Sequence, residues 1–210
     1  MEIFSVDLVE QIYNLVWEKI LCRDYMPGDQ IPTKQIAQAS GVSVMPVRLA
    51  LQELTDRGIL IKRQRVGYYV AKFSVEEMLD IVQTRKMFEM HCLDQHFSSL
   101  SMANVQRMHD LLVEINTQLD DTTYQLLDAE LHQMFINASA NKIIKKQYAQ
   151  IKDLFTISIS VDQNDHVTHE LSRKEHLELL GHILAQDKQS SLISLKNHLD
   201  RVESVIRELL

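Results

Sequence analysis

Apolar residues recur at helical spacing over most of the chain, and the places where that pattern breaks divide the chain in two. Val9, Ile12, Val16 and Ile20 follow one another at intervals of three or four. That spacing predicts an amphipathic helix from Ser5 to about Arg23, with Ser5 as N-cap and Asp7 favourable in the first turn. Met26–Pro32 (MPGDQIP) reads as a turn. A short helix is predicted over Thr33–Ala39, ended by Gly41, and another over Ser43–Asp56, ended by Gly58. Val47, Ala50, Leu51 and Leu54 form one apolar stripe along the latter. Ile59–Arg63 and Tyr68–Ala71 are rich in β-branched and aromatic residues and read as two short strands joined by a turn containing Gly67. From there the pattern is helical throughout, with six helices over residues 74–98, 101–119, 122–139, 141–160, 168–186 and 188–209. Ser74 and Glu77 make a capping box, and Ser160–Glu170 is the one long polar break.

The residues that punctuate structure obey the same division. All three prolines and four of the five glycines precede residue 68, whereas all nine histidines follow residue 90. The predicted fold is therefore mainly α. Residues 1–73 form a winged helix-turn-helix of three helices and a two-stranded wing, and residues 74–210 an all-α six-helix bundle.

A formal net charge of −7 argues at first against a nucleic-acid partner, but the charge is unevenly placed. Residues 1–73 hold nine Lys and Arg against eight Asp and Glu, leaving thirteen against twenty-one for the rest. Arg48–Lys72 alone carries six basic residues and two acidic ones, and a local basic face is what DNA binding requires. No apolar run approaches the ~20 residues of a membrane span. The N-terminus lacks a basic segment followed by an apolar one, so a cytoplasmic protein with no membrane partner is expected. Cys22 and Cys92 form no CxxC and are expected to be reduced.

Gly41–Leu51 (GVSVMPVRLAL) concentrates the DNA-binding chemistry. Ser43 stands at the N-cap, and Pro46 falls in the first turn, where its missing N–H has no intrahelical partner to lose. Val44, Met45 and Arg48 leave the helix start on a face different from the apolar stripe, as the readers of a recognition helix do. Arg48 suits a phosphate or guanine O6 and N7. Taken singly, Arg48 reads as a solvated surface residue; the order of elements and the charge placement favour DNA.

The stretch MPGDQIPTKQIAQASGVSVMPVRLALQELTDRGILIKRQRVGYYV resembles the winged helix of the GntR family of bacterial transcription regulators. PG…IP, GVS, PVR-AL, GIL and the G-YV wing match in order and spacing. The helices that follow look like the FCD effector domain of the FadR-type branch, closest in length to its shorter VanR-like group. The resemblance implies a ligand-responsive regulator, by family habit a repressor, that binds double-stranded operator DNA as a homodimer. It places Lys34 at a basic contact of the preceding helix, and Arg63, Arg65 and Gly67 against phosphate or the minor groove. The chain departs from the family where Arg-Thr is replaced by Val44-Met45 and Glu by Leu49. The first pair offers only apolar contact, for instance to a thymine methyl, so the operator is expected to differ at the base pair read there.

In the second half, Asp128 and His132 lie four apart on one helix face, and His176 and His198 fall on the last two helices. One carboxylate and three imidazoles on three helices can hold a divalent transition metal and leave positions for water or a ligand carboxylate. D-x3-H is common on helices, and a lone buried His is more often a hydrogen-bonded core residue. The resemblance adds weight to the metal: many FadR-type effector domains carry D-x3-H, then Glu-His opening the fifth helix, then His in the sixth. Asp128–His132, Glu175-His176 and His198 stand in those places. Zinc comes first, with nickel, manganese and iron also compatible. His182 faces another side of its helix, and the other five histidines read as surface or packing residues. Arg85 forms an i, i+4 pair with Glu89. The family often turns that arginine to the ligand cavity, where a guanidinium suits a small carboxylate effector. Two alternatives stand beside the regulator. One is a metal-dependent hydrolytic enzyme, for which no general base and no GxSxG motif is evident; the other is a protein-interaction module.

Overall fold

The structure, a computed structural model, describes residues 6–114, 121–159 and 165–208. Its elements run α1 (Val6–Leu21), β1 (Gln30–Ile31), α2 (Thr33–Ala39), α3 (Val44–Asp56), β2 (Leu60–Arg63), β3 (Gly67–Val70), α4 (Val75–His96), α5 (Met102–Glu114), α6 (Asp121–Ala138), α7 (Lys142–Ile159), α8 (Asp165–Leu184) and α9 (Lys188–Arg207). Two compact units result. One takes the chain up to Phe73 together with the end of α7 from Thr156, and the other takes Ser74–Phe155 with α8 and α9. The expected N-cap Ser5, the end of the helix predicted to residue 119, and Ser160–Asn164 of the polar break lie outside the described residues.

In the first unit the predicted stripes become the core. Ile12, Val16 and Ile20 of α1 bury against Val47, Ala50, Leu51 and Leu54 of α3. Pro46 sits in the first turn of α3 and is buried. Ser43 occupies the N-cap with extended backbone, but its side chain makes no capping hydrogen bond, contrary to expectation. The wing is also larger than the predicted two strands. It is an antiparallel sheet in the order β1-β3-β2, with Ile31 opposite Tyr68 and Leu60 opposite Val70. β1 lies inside the segment read as a turn. Ile31 precedes Pro32, which pushes it to an extended conformation, and burial of its side chain fixes the pairing. Gly67 needs its identity. Its φ is +143°, and a Cβ there would meet the Gln30 Nε2 at 3.0 Å, the same amide nitrogen that donates to the Val66 carbonyl at 3.0 Å.

Among the described residues, the chain from Ser74 onward holds the expected six α-helices, with a short 3-10 turn at Phe97–Ser99 after the first. The capping box forms: Ser74 Oγ accepts from the Glu77 N–H at 3.2 Å, and Glu77 Oε2 accepts from the Ser74 N–H at 2.8 Å. α8 is helical from Asp165, earlier than its apolar pattern suggests. Glu170 supports this first part through ion pairs to Arg173 and Lys174, at i, i+3 and i, i+4. α4 packs on α6 and α9, and α8 on α5 and α9, around Leu93, Met108, Leu131, Phe135, Leu180 and Leu199. α4, α6, α8 and α9 thus turn inward-facing polar residues toward one another in the middle of an apolar bundle. No helix among the described residues is long and apolar enough to cross a membrane.

Candidate metal centre and nucleic-acid interface

α6, α8 and α9 bring Asp128, His132, His176 and His198 together, with one donor atom of each inside 4.8 Å of the others. The spacing of four on α6 stacks Asp128 and His132 on one face, and packing of α8 and α9 supplies the other two. All three imidazoles are buried and Asp128 is half-buried. His132 Nε2 lies 3.2 Å from His176 Nε2, which lies 3.3 Å from His198 Nε2. Asp128 Oδ1 is 3.8 Å from His132 Nε2 and 3.6 Å from His176 Nε2.

The outward nitrogens explain why the inward ones converge. His132 Nδ1 donates to Glu89 Oε2 at 2.6 Å, and His198 Nδ1 donates to Glu175 Oε2 at 2.7 Å. His176 Nδ1 lies 3.4 Å from the Tyr124 hydroxyl. A carboxylate can only accept, so His132 and His198 carry a proton on Nδ1, and in the neutral ring this tautomer turns the Nε2 lone pair to the centre. The carboxylates are themselves held. Glu89 Oε1 accepts from Arg85 Nε and from the Tyr148 hydroxyl, each at 2.6 Å. Glu175 accepts from Arg201 at 2.6 and 2.8 Å. Burial works against the charge on Glu89, but Arg85, His132 and Tyr148 outweigh it and hold its pKa down at about 2. Burial likewise opposes the charge on Asp128 and on Glu175; His132 and Arg85 overcome it in the first, and His198 and Arg201 in the second. Burial, reinforced by neighbouring imidazoles, pulls His176 well below the usual histidine range and lowers His198 as well. Neutral rings are what a metal requires of its ligands.

The donor set fits a transition metal. Two nitrogens each about 2.1 Å from one zinc ion lie about 3.0 Å apart at a right angle and about 3.4 Å apart at the tetrahedral angle. The observed 3.2 and 3.3 Å fall between those limits. Arg85 is buried beside the cluster, its guanidinium 4.0 Å from the centre of the Phe155 ring and its Nη2 3.7 Å from Asp128 Oδ2. It therefore keeps the predicted Glu89 pair and also borders the cluster. His182 stands apart, 3.6 Å from Glu178. Tyr124, Tyr148 and Arg201 were not anticipated. Two of them left a signal in their spacing, Arg201 three residues after His198 on α9 and Tyr124 four residues before Asp128 on α6.

The other predicted residues lie in the first unit. Lys34, Ser43, Met45, Arg48, Arg63 and Arg65 are exposed, on α2, at the start of α3 and on the wing. Val44 is half-buried and packs against the core, so Met45 is the more open of the pair. Arg63 stacks on Tyr69 with its guanidinium 4.1 Å from the ring centre, which fixes one wing cation in place. Arg65 adopts a left-handed backbone (φ 61°) at the tip of the wing.

A winged helix-turn-helix joined to a helical unit that carries a buried Asp/His cluster defines a DNA-binding transcription regulator. Residues 8–70 match the bacterial regulatory proteins of the gntR family and residues 80–201 match the FCD domain. The chain belongs to the GntR family, with an FCD domain. The uncharacterized HTH-type transcriptional regulator YdhC of Bacillus subtilis (strain 168) is 21% identical over 185 residues, covering 86% of this chain and 83% of that one. A GntR transcriptional regulator from Rhodococcus sp. RHA1 shares the fold, with a TM-score of 0.88 over 96% of this chain and 98% of that one at 18% identity. The Zn2+-bound FCD domain of TM0439 matches 64% of this chain and 94% of its own at 26% identity, with a TM-score of 0.57. These domains and relatives are regulators and not enzymes, which sets the hydrolase alternative aside.

Proposed function

We propose that this regulator holds one divalent transition metal, zinc foremost, on Asp128, His132, His176 and His198, and that a small organic acid binding there alters its grip on operator DNA. The observation that carries the reading is the convergence of three imidazole Nε2 atoms whose opposite nitrogens are tied to Glu89, Tyr124 and Glu175. The likeness to a Zn2+-bound FCD domain supports it. When bound, the metal supplies open coordination positions for an anion. The charge of the site favours the same ligand. A divalent ion and Arg85 carry one more positive charge than Asp128 and Glu89 neutralise, while Glu175 and Arg201 cancel, so a bound carboxylate completes the balance in a buried site. Two copies of the chain, acting in the cytoplasm, would present Lys34, Met45, Arg48 and the Arg63–Gly67 wing to two operator half-sites.

The test is calorimetric titration of chelator-treated protein with zinc. Wild type is expected to bind one ion per chain. Glu89→Gln, which weakens the partner that orients His132, is expected to bind it about 10–100-fold more weakly. No heat of binding in the wild type would overturn the metal reading.

A further inference from the structure

Among the exposed apolar side chains of the DNA-binding unit, Met45 and Leu49 stand one turn apart on α3, and Leu49 has no role in the operator contacts described above. Along α3, Val47, Ala50, Leu51 and Leu54 face the core. The opposite face begins with Met45, Arg48 and Leu49, at i, i+3 and i+4. Met45 is 55% and Leu49 45% exposed. The outer face of a helix ordinarily carries polar residues, and two large apolar side chains left in water forgo the gain of burial. Exposed cations occur with them in the same unit: Arg48 lies between them in sequence, Lys34 is on α2, and Arg63 and Arg65 are on the wing. Such a surface suits a partner that is polyanionic overall yet apolar at the point of contact. The edge of a DNA base pair in the major groove offers one group of that kind, the 5-methyl of thymine.

We propose that Met45 and Leu49 read thymine methyl groups in the operator half-site, so that this apolar pair selects sequence while Arg48 supplies the polar contact. The proposal rests on the operator-binding reading above. Apolar contacts release no counterions, so the selection they provide is independent of salt, unlike the phosphate contacts that surround them.

The probe is a duplex selected from a randomised pool by the full-length protein itself. It is resynthesised with deoxyuridine replacing thymidine at one position at a time, which keeps base pairing and removes only the methyl group. Binding is expected to weaken about fourfold at each position where a methyl is buried. Met45→Ala and Leu49→Ala are each expected to bind the thymidine and deoxyuridine duplexes equally at the position that side chain reads, while still binding through Arg48. Met45→Gln keeps the length and helix propensity of Met45 and is expected to lose the same discrimination. The proposal fails if no position distinguishes thymidine from deoxyuridine, or if all three variants keep the wild-type ratio. If selection enriches no sequence at all, the operator-binding reading fails first and the pair belongs to a protein-docking face instead.

Discussion

His176→Ala is expected to abolish stabilisation by zinc. His176 sits at the middle of the donor set, its Nε2 within 3.3 Å of both neighbouring imidazole nitrogens. Its loss removes a ligand outright, which costs more than the about 10–100-fold that loss of an outer partner costs. In wild type, zinc at a hundred times its dissociation constant stabilises the native state by about 2.7 kcal/mol, provided the unfolded chain does not bind it. The variant is expected to melt at one temperature with zinc or with chelator. Comparing each protein with itself matters here, because truncating a fully buried ring also lowers stability through packing. A zinc-dependent shift in the variant equal to that of wild type would remove His176 from the metal site.

Arg48→Ala is expected to give the largest loss of DNA binding. Arg48 is exposed one turn into α3, off the buried stripe, so its removal is expected to leave the fold intact by circular dichroism. A bidentate arginine contact to guanine is worth about 1–3 kcal/mol of discrimination, or roughly fivefold to more than a hundredfold per half-site. A dimer engaging two half-sites, as proposed, would lose this twice. Fluorescence anisotropy at several salt concentrations separates the two roles open to the residue. A phosphate contact weakens all sequences alike and lowers the salt slope by about one for each contact, whereas a base contact relaxes preference at one position. Unchanged operator affinity would take Arg48 out of the interface.

Much of this was legible along the chain because it depends on local periodicity. The stripe on α3, the proline in its first turn, the breaks at Gly41 and Gly58 and the Ser74–Glu77 box are properties of a few adjacent residues, and the structure reproduces them. Strand β1 was missed because two residues are too few to show alternation; only Ile31 before Pro32 hinted at extended backbone. Val44 was read as open, yet it packs on the core, since a residue at the first position of a helix has no neighbouring turn to report which way it faces. Asp128 and His132 could be paired from their spacing. Their meeting with His176 and His198 could not, because spacing on one helix is silent about its neighbours, and the resemblance to FadR-type domains carried that step. The outer partners lie further beyond reach. Glu89 showed only its local bond to Arg85, while its contacts to His132 and Tyr148 join residues 43 and 59 positions apart. Those contacts give the cluster its orientation, so the part hidden from sequence is the part that makes four common residues into a candidate metal centre.

Regulation by the helical unit requires that a ligand bound there change operator affinity, because an effector shifts an equilibrium only by its difference in affinity for two states. The direct measurement is the dissociation constant for the selected operator duplex, taken with and without zinc, across a panel of mono-, di- and tricarboxylates of up to six carbons. At least one acid is expected to change that constant by about fivefold or more, in the presence of zinc and not after chelation. A dissociation constant that stays the same for every acid, with and without zinc, would rule out metal-dependent control of DNA binding by such acids.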